Sequence, residues 1–247
     1  MRPIYRVPFK PHRTDPCFCH SGRMFKSCCG SLQSERKPPH GVILRHGVLD
    51  DQDCRDILEM PGQKEKDWLT VSRQDPATGQ TESVRDERRV TQSVVLEELQ
   101  TEIDAVVARV WQTWVQPAYQ CDIEWFEHST LLCYGTHGFY GSHFDAEVFV
   151  EARNAWQRVR DRDLSMLLYV NDDYQGGYLN FMNFNYRYRP RAGDMLVFPS
   201  DHRYLHQAEK VSAGNRYAVV SWAALRGGQR CFDTPPEDAI VFDEPRP

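Results

Sequence analysis

The spacing of hydrophobic residues changes about halfway along the chain. Over residues 94–114 apolar side chains recur every three to four positions, which predicts one long amphipathic helix that Pro117 ends. A shorter apolar stripe follows Asp50 and Asp51, which form a helix N-cap signal, and predicts a first helix that ends before Pro61. The remaining apolar runs are short and predict strands over residues 42–48, 68–72, 121–126, 129–134, 142–144, 164–170, 178–184, 195–199 and 217–225.

Glycine and Asn-Asp turn signals separate these short runs, and strands at such spacing are typical of a sandwich or a barrel. We therefore predict a mainly β domain with packed helices. The polar segment 73–92, interrupted by Pro76 and Gly79, predicts a mobile loop or a hairpin. The tail, residues 234–247, is rich in proline and acidic side chains and is expected to fray.

Composition and charge narrow the class of protein. The 247 residues include 30 basic and 35 acidic side chains, a net charge of −5, which argues against a general or sequence-specific nucleic-acid binder. A hydrophobic content of 40% excludes wholesale disorder, and no apolar run predicts a membrane helix or a signal peptide. We therefore expect a cytoplasmic protein whose eight cysteines do not form a disulfide framework.

Four of the cysteines lie in an N-terminal segment that is too short to bury a core. Cys17 and Cys19 are separated from Cys28 and Cys29 by eight residues, and four thiolates in this pattern can close a tetrahedral zinc shell. Zinc binding would then supply the free energy of folding that packing cannot. His20 can replace one thiolate, or one of the vicinal pair can be a spectator. The alternative is a redox-labile, cysteine-rich tail.

Residues 15–30 resemble the SEC-C motif almost throughout, from Asp-Pro-Cys-x-Cys to the final Cys-Cys-Gly. The resemblance implies a zinc-binding module of a bacterial protein that docks on a protein partner, such as a ribosomal or translation-associated one. A polar linker that contains Pro-Pro, residues 31–40, follows the module. We therefore divide the chain into a zinc module with its linker, residues 1–36, and a main domain, residues 37–247.

A candidate metal site lies in the β-rich half of the chain. His143 and Asp145 stand at positions i and i+2, which share one face of a strand, and His206 follows beyond several further strands. Two histidines and one carboxylate with open positions are the ligand set of non-haem Fe(II) oxygenases. Arg216 lies in a later predicted strand, and its guanidinium is suited to binding a buried carboxylate.

These residues and their surroundings resemble the prolyl 4-hydroxylase family of 2-oxoglutarate- and Fe(II)-dependent dioxygenases. Residues 163–179 follow the family's strand, Asn-Asp turn and Gly-Gly, and residues 190–201 follow its Pro-x-x-Gly-x-x-Leu-x-Phe-x-Ser pattern. The run 216–222 is most similar to the hypoxia-factor prolyl hydroxylase subgroup. The resemblance spans residues 41–225 and implies a double-stranded β-helix, a jelly-roll of the cupin type, with helices packed on one side.

The resemblance also implies roles for individual residues. The two histidines and the aspartate fall on the family's iron ligands, and Arg216 falls on the residue that binds the C5 carboxylate of 2-oxoglutarate. Further co-substrate contacts are implied for Tyr134, Tyr169 and Trp222. The chain departs from the subgroup at two of the positions near the co-substrate. Tyr134 is one residue closer to the first iron ligand, His143, than the corresponding tyrosine of the subgroup, and Val220 stands in place of a threonine.

The family chemistry implies hydroxylation of an unactivated C–H bond, coupled to conversion of 2-oxoglutarate into succinate and CO2. The implied cofactors are Fe(II), 2-oxoglutarate as co-substrate and Zn(II), with ascorbate as a candidate reductant. We expect the substrate to be a prolyl residue of a protein, gripped by Arg85, Arg88 and Arg89 when the segment 73–92 closes over it. Two alternatives stay open. One is a hydroxylase of a free amino acid or small metabolite, and the other is an oxygen- or 2-oxoglutarate-sensing adaptor that acts through the zinc module.

Overall fold

The computed structural model of the chain describes residues 4–5, 13–17, 22–28, 31, 38–59, 66–74, 81–85 and 87–242. Short antiparallel strands dominate this part of the chain. Numbered in chain order, the strands are β1 Ile4–Tyr5, β2 Ile43–Arg45, β3 Lys66–Trp68, β4 Val71–Gln74, β5 Thr81–Val84, β6 Arg89–Val90, β7 Gln92–Val94, β8 Ile123–Phe126, β9 Thr130–Tyr134, β10 Phe139–His143, β11 Glu147–Val150, β12 Ala155–Arg158, β13 Leu164–Tyr169, β14 Gln175–Gly176, β15 Leu179–Phe181, β16 Tyr186–Tyr188, β17 Met195–Pro199, β18 His206–Ala208, β19 Val211–Ala213, β20 Arg216–Leu225 and β21 Ile240–Val241.

Two sheets enclose the interior of the main domain. The larger runs in the order β2-β17-β13-β20-β9-β7-β3, with β8 paired to β20 and β21 paired to β8, and the smaller runs β16-β15-β18-β10-β6. Buried aromatic side chains from both sheets share one cluster, with Tyr169 and Phe198 from the larger sheet and Phe181 and Tyr186 from the smaller. The remaining strands form the sheet β1-β12-β11 and the ribbons β14-β19 and β4-β5. The mainly β prediction is confirmed.

Side-chain alternation along β13 separates two faces of the larger sheet. Met166 and Leu168 lie in the core cluster that also contains the helical residues Val107 and Trp111. The alternate residue Leu167 packs instead against both clusters of the interior. Successive side chains of a strand point to opposite faces. One face of the larger sheet therefore packs against the helices, and the other face lines the interior between the two sheets.

The helices are α1 Asp51–Glu59, α2 Gln100–Val110 and α3 Gln116–Tyr119, and the wider turn Trp111–Val115 joins α2 to α3. Asp50 caps α1 as predicted, because its carboxylate accepts the backbone N–H groups of Gln52 and Asp53 at 2.8 Å each. Short 3₁₀ turns lie at Phe25–Ser27, Glu97–Leu99, Glu151–Arg153, Met182–Phe184 and His202–Tyr204. Among the described residues, no helix has the length and apolar character needed to cross a bilayer.

The helix predicted over residues 94–114 has different ends in the structure. Val94 belongs to β7, where it pairs with Lys66 of β3, and the regular helix begins only at Gln100. At the other end, Pro117 does not stop the helix, which continues to Tyr119. The turn widens immediately before Pro117, which accommodates a residue that has no N–H donor and a bulky ring. The helix ends where Gln120 adopts the left-handed conformation, with φ 52°.

The segment 73–92 and the tail both contain paired strands, so of the loop and the hairpin predicted for residues 73–92 the structure shows the hairpin. The segment 73–92 holds the end of β4, the strand β5 with which it forms a hairpin, and β6, which pairs with β10. The described part of the tail is held to the domain, because Ile240 pairs with Phe126 and the ring of Phe242 packs 5.3 Å from that of Phe126. Residues 243–247 lie outside the described part of the chain.

The N-terminal module packs against the main domain. Cys17 and Phe25 are buried in the same cluster as Phe181, Phe198 and Tyr204, and Cys28 is partly buried against that cluster. The hydroxyl of Tyr204 also donates to the backbone carbonyl of His40, the last residue of the linker, at 2.9 Å. The module therefore covers one end of the interior formed by the two sheets.

Candidate active site

Three predicted ligands meet at neighbouring strand ends in the smaller sheet. β10 and β18 are antiparallel neighbours, and a register irregularity after Tyr140 places His143 directly opposite His206. Asp145 follows β10 by two residues. One ligand atom from each of the three side chains can be chosen so that all lie within 4.8 Å of one another. The Nε2 atoms of His143 and His206 each lie 3.7 Å from a carboxylate oxygen of Asp145.

Backbone carbonyls fix the orientation of both imidazoles. The Nδ1 atom of His143 lies 2.8 Å from the carbonyl oxygen of Gly141, and that of His206 lies 2.9 Å from the carbonyl oxygen of Tyr204. A carbonyl oxygen only accepts hydrogen bonds, so each Nδ1 carries a hydrogen, and in the neutral form of each ring Nε2 is the atom with the lone pair. Both Nε2 atoms are therefore oriented as metal ligands of the neutral ring.

The carboxylate of Asp145 is held by a buried serine. The hydroxyl of Ser165 donates to Oδ2 of Asp145 at 2.7 Å and lies 2.7 Å from the hydroxyl of Ser200. Burial would raise the pKa of Asp145, but His206, His143 and the Ser165 hydrogen bond together lower it below its ordinary value. Burial and the neighbouring His206 lower the pKa of His143 to about 3. The cluster thus presents an anionic Asp145 beside a neutral His143.

Aromatic rings surround the two imidazoles. Phe198 and Phe181 pack against His206 with ring centroids 4.7 and 5.8 Å away. Tyr140 stacks on His143 at 3.6 Å, and the guanidinium of Arg89 lies 4.4 Å from the ring of Tyr140 on β10. Two imidazoles and one carboxylate on one side of a hydrophobic pocket leave positions open for other ligands. This donor set fits Fe(II) of the two-histidine, one-carboxylate class.

Arg216 lies in the same interior at the start of β20. It is 3% exposed, its Nη1 donates to the carbonyl oxygen of Gly177 at 2.8 Å, and its guanidinium lies 3.9 Å from the ring of Tyr134. Its Nε is buried and has no hydrogen-bond partner among the described residues. A buried, unpaired N–H of a cation is costly, and a ligand carboxylate would satisfy it.

The other predicted co-substrate residues occupy different parts of the interior. Tyr134 lies directly opposite Arg216 across β9 and β20. Tyr169 is buried on β13 opposite Ala218; burial raises the pKa of its hydroxyl, and the positive charge of Arg216 opposes that rise. Trp222 lies instead near the metal ligands, because it pairs with Ser165, and its buried Nε1 has no partner among the described residues.

Two polar pairs near the ligands were not found from the sequence. Arg162 donates to both carboxylate oxygens of Glu127, at 2.6 and 2.5 Å, and its guanidinium lies 3.7 Å from the ring of Trp222. Glu147 accepts the backbone N–H of His202 at 2.9 Å and lies 2.5 Å from Nδ1 of its ring. Glu147 follows Asp145 by two residues and His202 precedes the second histidine ligand by four, so this pair joins the two ligand-bearing segments.

The proposed zinc ligands are only partly within the described residues. Cys17 is buried and its backbone N–H donates to the carbonyl oxygen of Arg23 at 2.8 Å, which closes the turn between the two halves of the motif. Cys28 is half-buried at the end of the Phe25–Ser27 turn. Cys19, Cys29 and the alternative ligand His20 lie outside the described residues.

Comparison with known families agrees with this geometry. Residues 129–224 match the model of the 2OG-Fe(II) oxygenase superfamily, and residues 13–31 match that of the SEC-C motif. The first of these segments contains all three candidate iron ligands and Arg216, and the second contains the four clustered cysteines. The resemblances predicted from the sequence are therefore confirmed.

Curated relatives and solved structures are prolyl hydroxylases and similar enzymes. A PKHD-type hydroxylase of Synechococcus sp. is 33% identical over 119 residues, which cover 47% of this chain and 49% of that protein. Prolyl 3-hydroxylase 2 of Homo sapiens is 34% identical over 83 residues, 30% of this chain and 12% of that protein. The chain thus spans half or less of the length of these relatives.

The fold is shared with solved structures at low sequence identity. The viral collagen prolyl hydroxylase of Paramecium Bursaria Chlorella virus-1 in its 2OG complex superposes with a TM-score of 0.51 at 14% identity, covering 74% of this chain and 96% of that one. A prolyl hydroxylase of Trichoplax adhaerens, in complex with a hypoxia inducible factor peptide, gives 0.50 at 18% identity, covering 76% and 84%. These likenesses assign the fold as that of the 2OG oxygenases.

Proposed function

We propose that this chain, whose residues 129–224 match the model of the 2OG-Fe(II) oxygenase superfamily, hydroxylates a prolyl residue of a protein substrate. The reaction would consume 2-oxoglutarate and O2 and release succinate and CO2. One observation carries the proposal: a convergent His-Asp-His cluster and a buried arginine with an unpaired N–H lie in the same interior. The first fits Fe(II), and the second fits the carboxylate of a co-substrate.

The chain's own residues bind, orient and shield the reactants. His143, Asp145 and His206 would hold the iron through Nε2 and carboxylate oxygen atoms, and Arg216 would bind the far carboxylate of 2-oxoglutarate. The bound iron, with 2-oxoglutarate and O2, supplies the oxidation of an unactivated C–H bond. The protein contributes positions and exclusion of water.

The part of the interior between the candidate iron ligands and Arg216 suits a short, partly apolar ligand. The side chains of Leu132 and Val220 lie on the inner faces of β9 and β20, beside the partly buried Leu167 of β13. Ser165 at the iron end and Tyr169 at the Arg216 end are four residues apart on β13, which is about 13 Å of strand at ~3.3 Å per residue. A span of this length is comparable with an arginine side chain and a small dicarboxylate placed end to end.

A protein substrate is favoured by the relatives and by the strands beside the site. Several of the relatives are named prolyl hydroxylases, and the solved Trichoplax enzyme holds a peptide. In this chain the hairpin β4-β5 leads directly into β6, which pairs with the ligand-bearing β10. Arg85 and Arg88 of this region are exposed, and Arg85 lies 4.8 Å from the ring of Trp68, itself 47% exposed. We propose that the hairpin contacts the polypeptide substrate.

Comparative mass spectrometry tests this function. Proteins from cells with the active gene should contain a prolyl residue carrying +16 Da that is absent from cells producing only the Asp145→Ala variant. The purified enzyme should add the same mass to a synthetic peptide around that residue, and fragmentation should identify the hydroxylated carbon. Turnover of a free amino acid, with no modified protein, would assign the enzyme to small-molecule metabolism. Iron binding without any turnover would favour a sensing adaptor.

For the N-terminal module we propose zinc binding by Cys17, Cys19, Cys28 and Cys29 and docking on a ribosomal or translation-associated partner. The match to the SEC-C motif supports both proposals. Elemental analysis of the full chain should find one zinc, and a Cys17→Ser/Cys28→Ser variant should lose it while keeping the capacity for iron. Zinc retained by that variant would contradict the ligand assignment. Co-sedimentation of the full chain with ribosomes tests the proposed partner. A full chain that stays in the supernatant would refute docking on the ribosome.

A further inference from the structure

A buried phenol that the sequence analysis did not single out lies close to Arg216. Tyr174 is in the segment between β13 and β14, is 4% exposed, and packs in one cluster with Leu132, Tyr134 and Val220 of the interior. Its hydroxyl is buried and has no hydrogen-bond partner among the described residues. Buried hydroxyls are usually paired in folded proteins, so this one is available to a ligand bound beside it.

Tyr174 and Arg216 both lie next to Gly177. The carbonyl oxygen of Gly177 accepts the Nη1 hydrogen of Arg216 at 2.8 Å. A Cβ atom added to Gly177 would lie only 2.9 Å from Cε2 of Tyr174, and its φ of +63° is itself a conformation that favours glycine. The ring edge beside the hydroxyl and the guanidinium of Arg216 therefore contact the same residue.

Arg189 packs on the ring of Tyr174, and the interaction of its guanidinium with the hydroxyl lacks the geometry of a hydrogen bond. The Arg189 guanidinium lies 4.0 Å from the centre of the ring, and its Nη2 donates to the backbone carbonyls of Asp172 and Tyr174 at 3.2 and 2.6 Å. Burial raises the pKa of the Tyr174 hydroxyl. The group is therefore a neutral hydrogen-bond donor in a fixed position.

We propose that Tyr174 donates a hydrogen bond to the far carboxylate of the 2-oxo acid co-substrate, beside Arg216. This assignment rests on the proposed function. Two buried donors, Nε of Arg216 and the Tyr174 hydroxyl, then find their acceptor in one carboxylate group. A 2-oxo acid without that carboxylate leaves both donors unpaired, so Tyr174 contributes to selectivity for a dicarboxylate.

Calorimetric binding to the full-length, Mn(II)-loaded protein without oxygen tests the assignment. The probes are 2-oxoglutarate and 2-oxobutyrate, which lacks the far carboxylate. In Tyr174→Phe the Kd for 2-oxoglutarate should rise roughly ten- to a hundredfold, the usual loss for one hydrogen bond to a charged group. The Kd for 2-oxobutyrate should stay within about twofold, because that ligand never makes the bond.

Tyr186→Phe is the matched control. The hydroxyl of Tyr186 is also buried and finds no partner within the described part of the chain, but Tyr186 lies in the other interior cluster. Its variant should therefore bind both probes like the wild type. Unchanged 2-oxoglutarate affinity in Tyr174→Phe would overturn the assignment. An equal loss for both probes would also overturn it, because it would indicate a purely structural role. A wild type that fails to bind 2-oxoglutarate would instead overturn the proposed function, and this assignment with it.

Discussion

Replacement of Ser165 by alanine tests whether the surroundings of the candidate iron site contribute to metal affinity. The Ser165 hydroxyl donates to Asp145 at 2.7 Å in an almost fully buried position, and its other neighbour is the hydroxyl of Ser200. Without this donor, Oδ2 of Asp145 loses its hydrogen bond and the carboxylate can rotate away from the position that faces His143 and His206. We therefore expect Ser165→Ala to bind Fe(II) more weakly.

The magnitude follows from the type of bond. A hydrogen bond to a charged group contributes about 1.5–3 kcal/mol, which corresponds to about ten- to a hundredfold in an equilibrium constant. Residues that orient metal ligands typically change metal affinity by about the same factor. Part of the energy of the Ser165 bond is already present before the metal binds, so we expect a loss near the lower limit, about tenfold.

Anaerobic competition with a metal-binding indicator measures the Kd of Fe(II), and thermal unfolding checks that the variant is folded. Ser200→Ala is the matched control, because Ser200 contacts Ser165 and, among the described residues, it is Ser165 that donates to Asp145. Its Fe(II) affinity should fall by less than about threefold, since the bond to the ligand is kept. Wild-type affinity in a folded Ser165→Ala protein would refute the reasoning, as would an equal loss in both variants.

Three further predictions concern other parts of the site. Arg216→Lys should raise the Kd of 2-oxoglutarate about ten- to a hundredfold in calorimetry, because one ammonium cannot replace a forked guanidinium; an unchanged Kd would remove Arg216 from the site. Glu147→Gln should lower the free energy of unfolding by about 1–3 kcal/mol in urea titrations, because the buried His202 loses a charged acceptor; unaltered stability would contradict that. Replacing residues 71–84 by a Gly-Ser turn should abolish peptide hydroxylation but preserve Fe(II) binding and the slow decarboxylation of 2-oxoglutarate without substrate. Loss of both activities would mean that the hairpin supports the fold, and full peptide activity would show that it has no role in substrate binding.

The strands of the interior were predictable because each has a strong local pattern. β17 has the predicted bounds, and β13 and β20 differ from prediction by one residue, since each combines β-branched or aromatic side chains with clear flanking turns. The hairpin β11-β12 was missed. Its turn is made by Glu151–Arg153 and by Asn154 in the left-handed conformation, with φ 46°, and contains no glycine or proline.

The site was predictable only where a residue type itself indicates chemistry. The His-x-Asp pair, the second histidine and Arg216 could be singled out because metal and carboxylate binding require those side chains, and the structure brings the first three together. Ser165 and Tyr174 were not found, since a serine on a strand and a tyrosine in a turn are ordinary residues. Their importance comes from the pairing of distant strands, which places Ser165 against Asp145 and Tyr174 beside the segment that Arg216 contacts.

Consumption of 2-oxoglutarate by the purified full-length protein tests the central claim most directly. Succinate is measured after incubation with Fe(II), O2 and 2-oxoglutarate, with the wild type compared with Asp145→Ala. We predict slow succinate formation by the wild type even without a protein substrate, dependent on both Fe(II) and O2. The Asp145→Ala protein, which keeps both histidines but lacks the anionic ligand, should form none above background. A wild-type protein that binds Fe(II) yet leaves 2-oxoglutarate unconsumed in the presence of O2 would contradict the account.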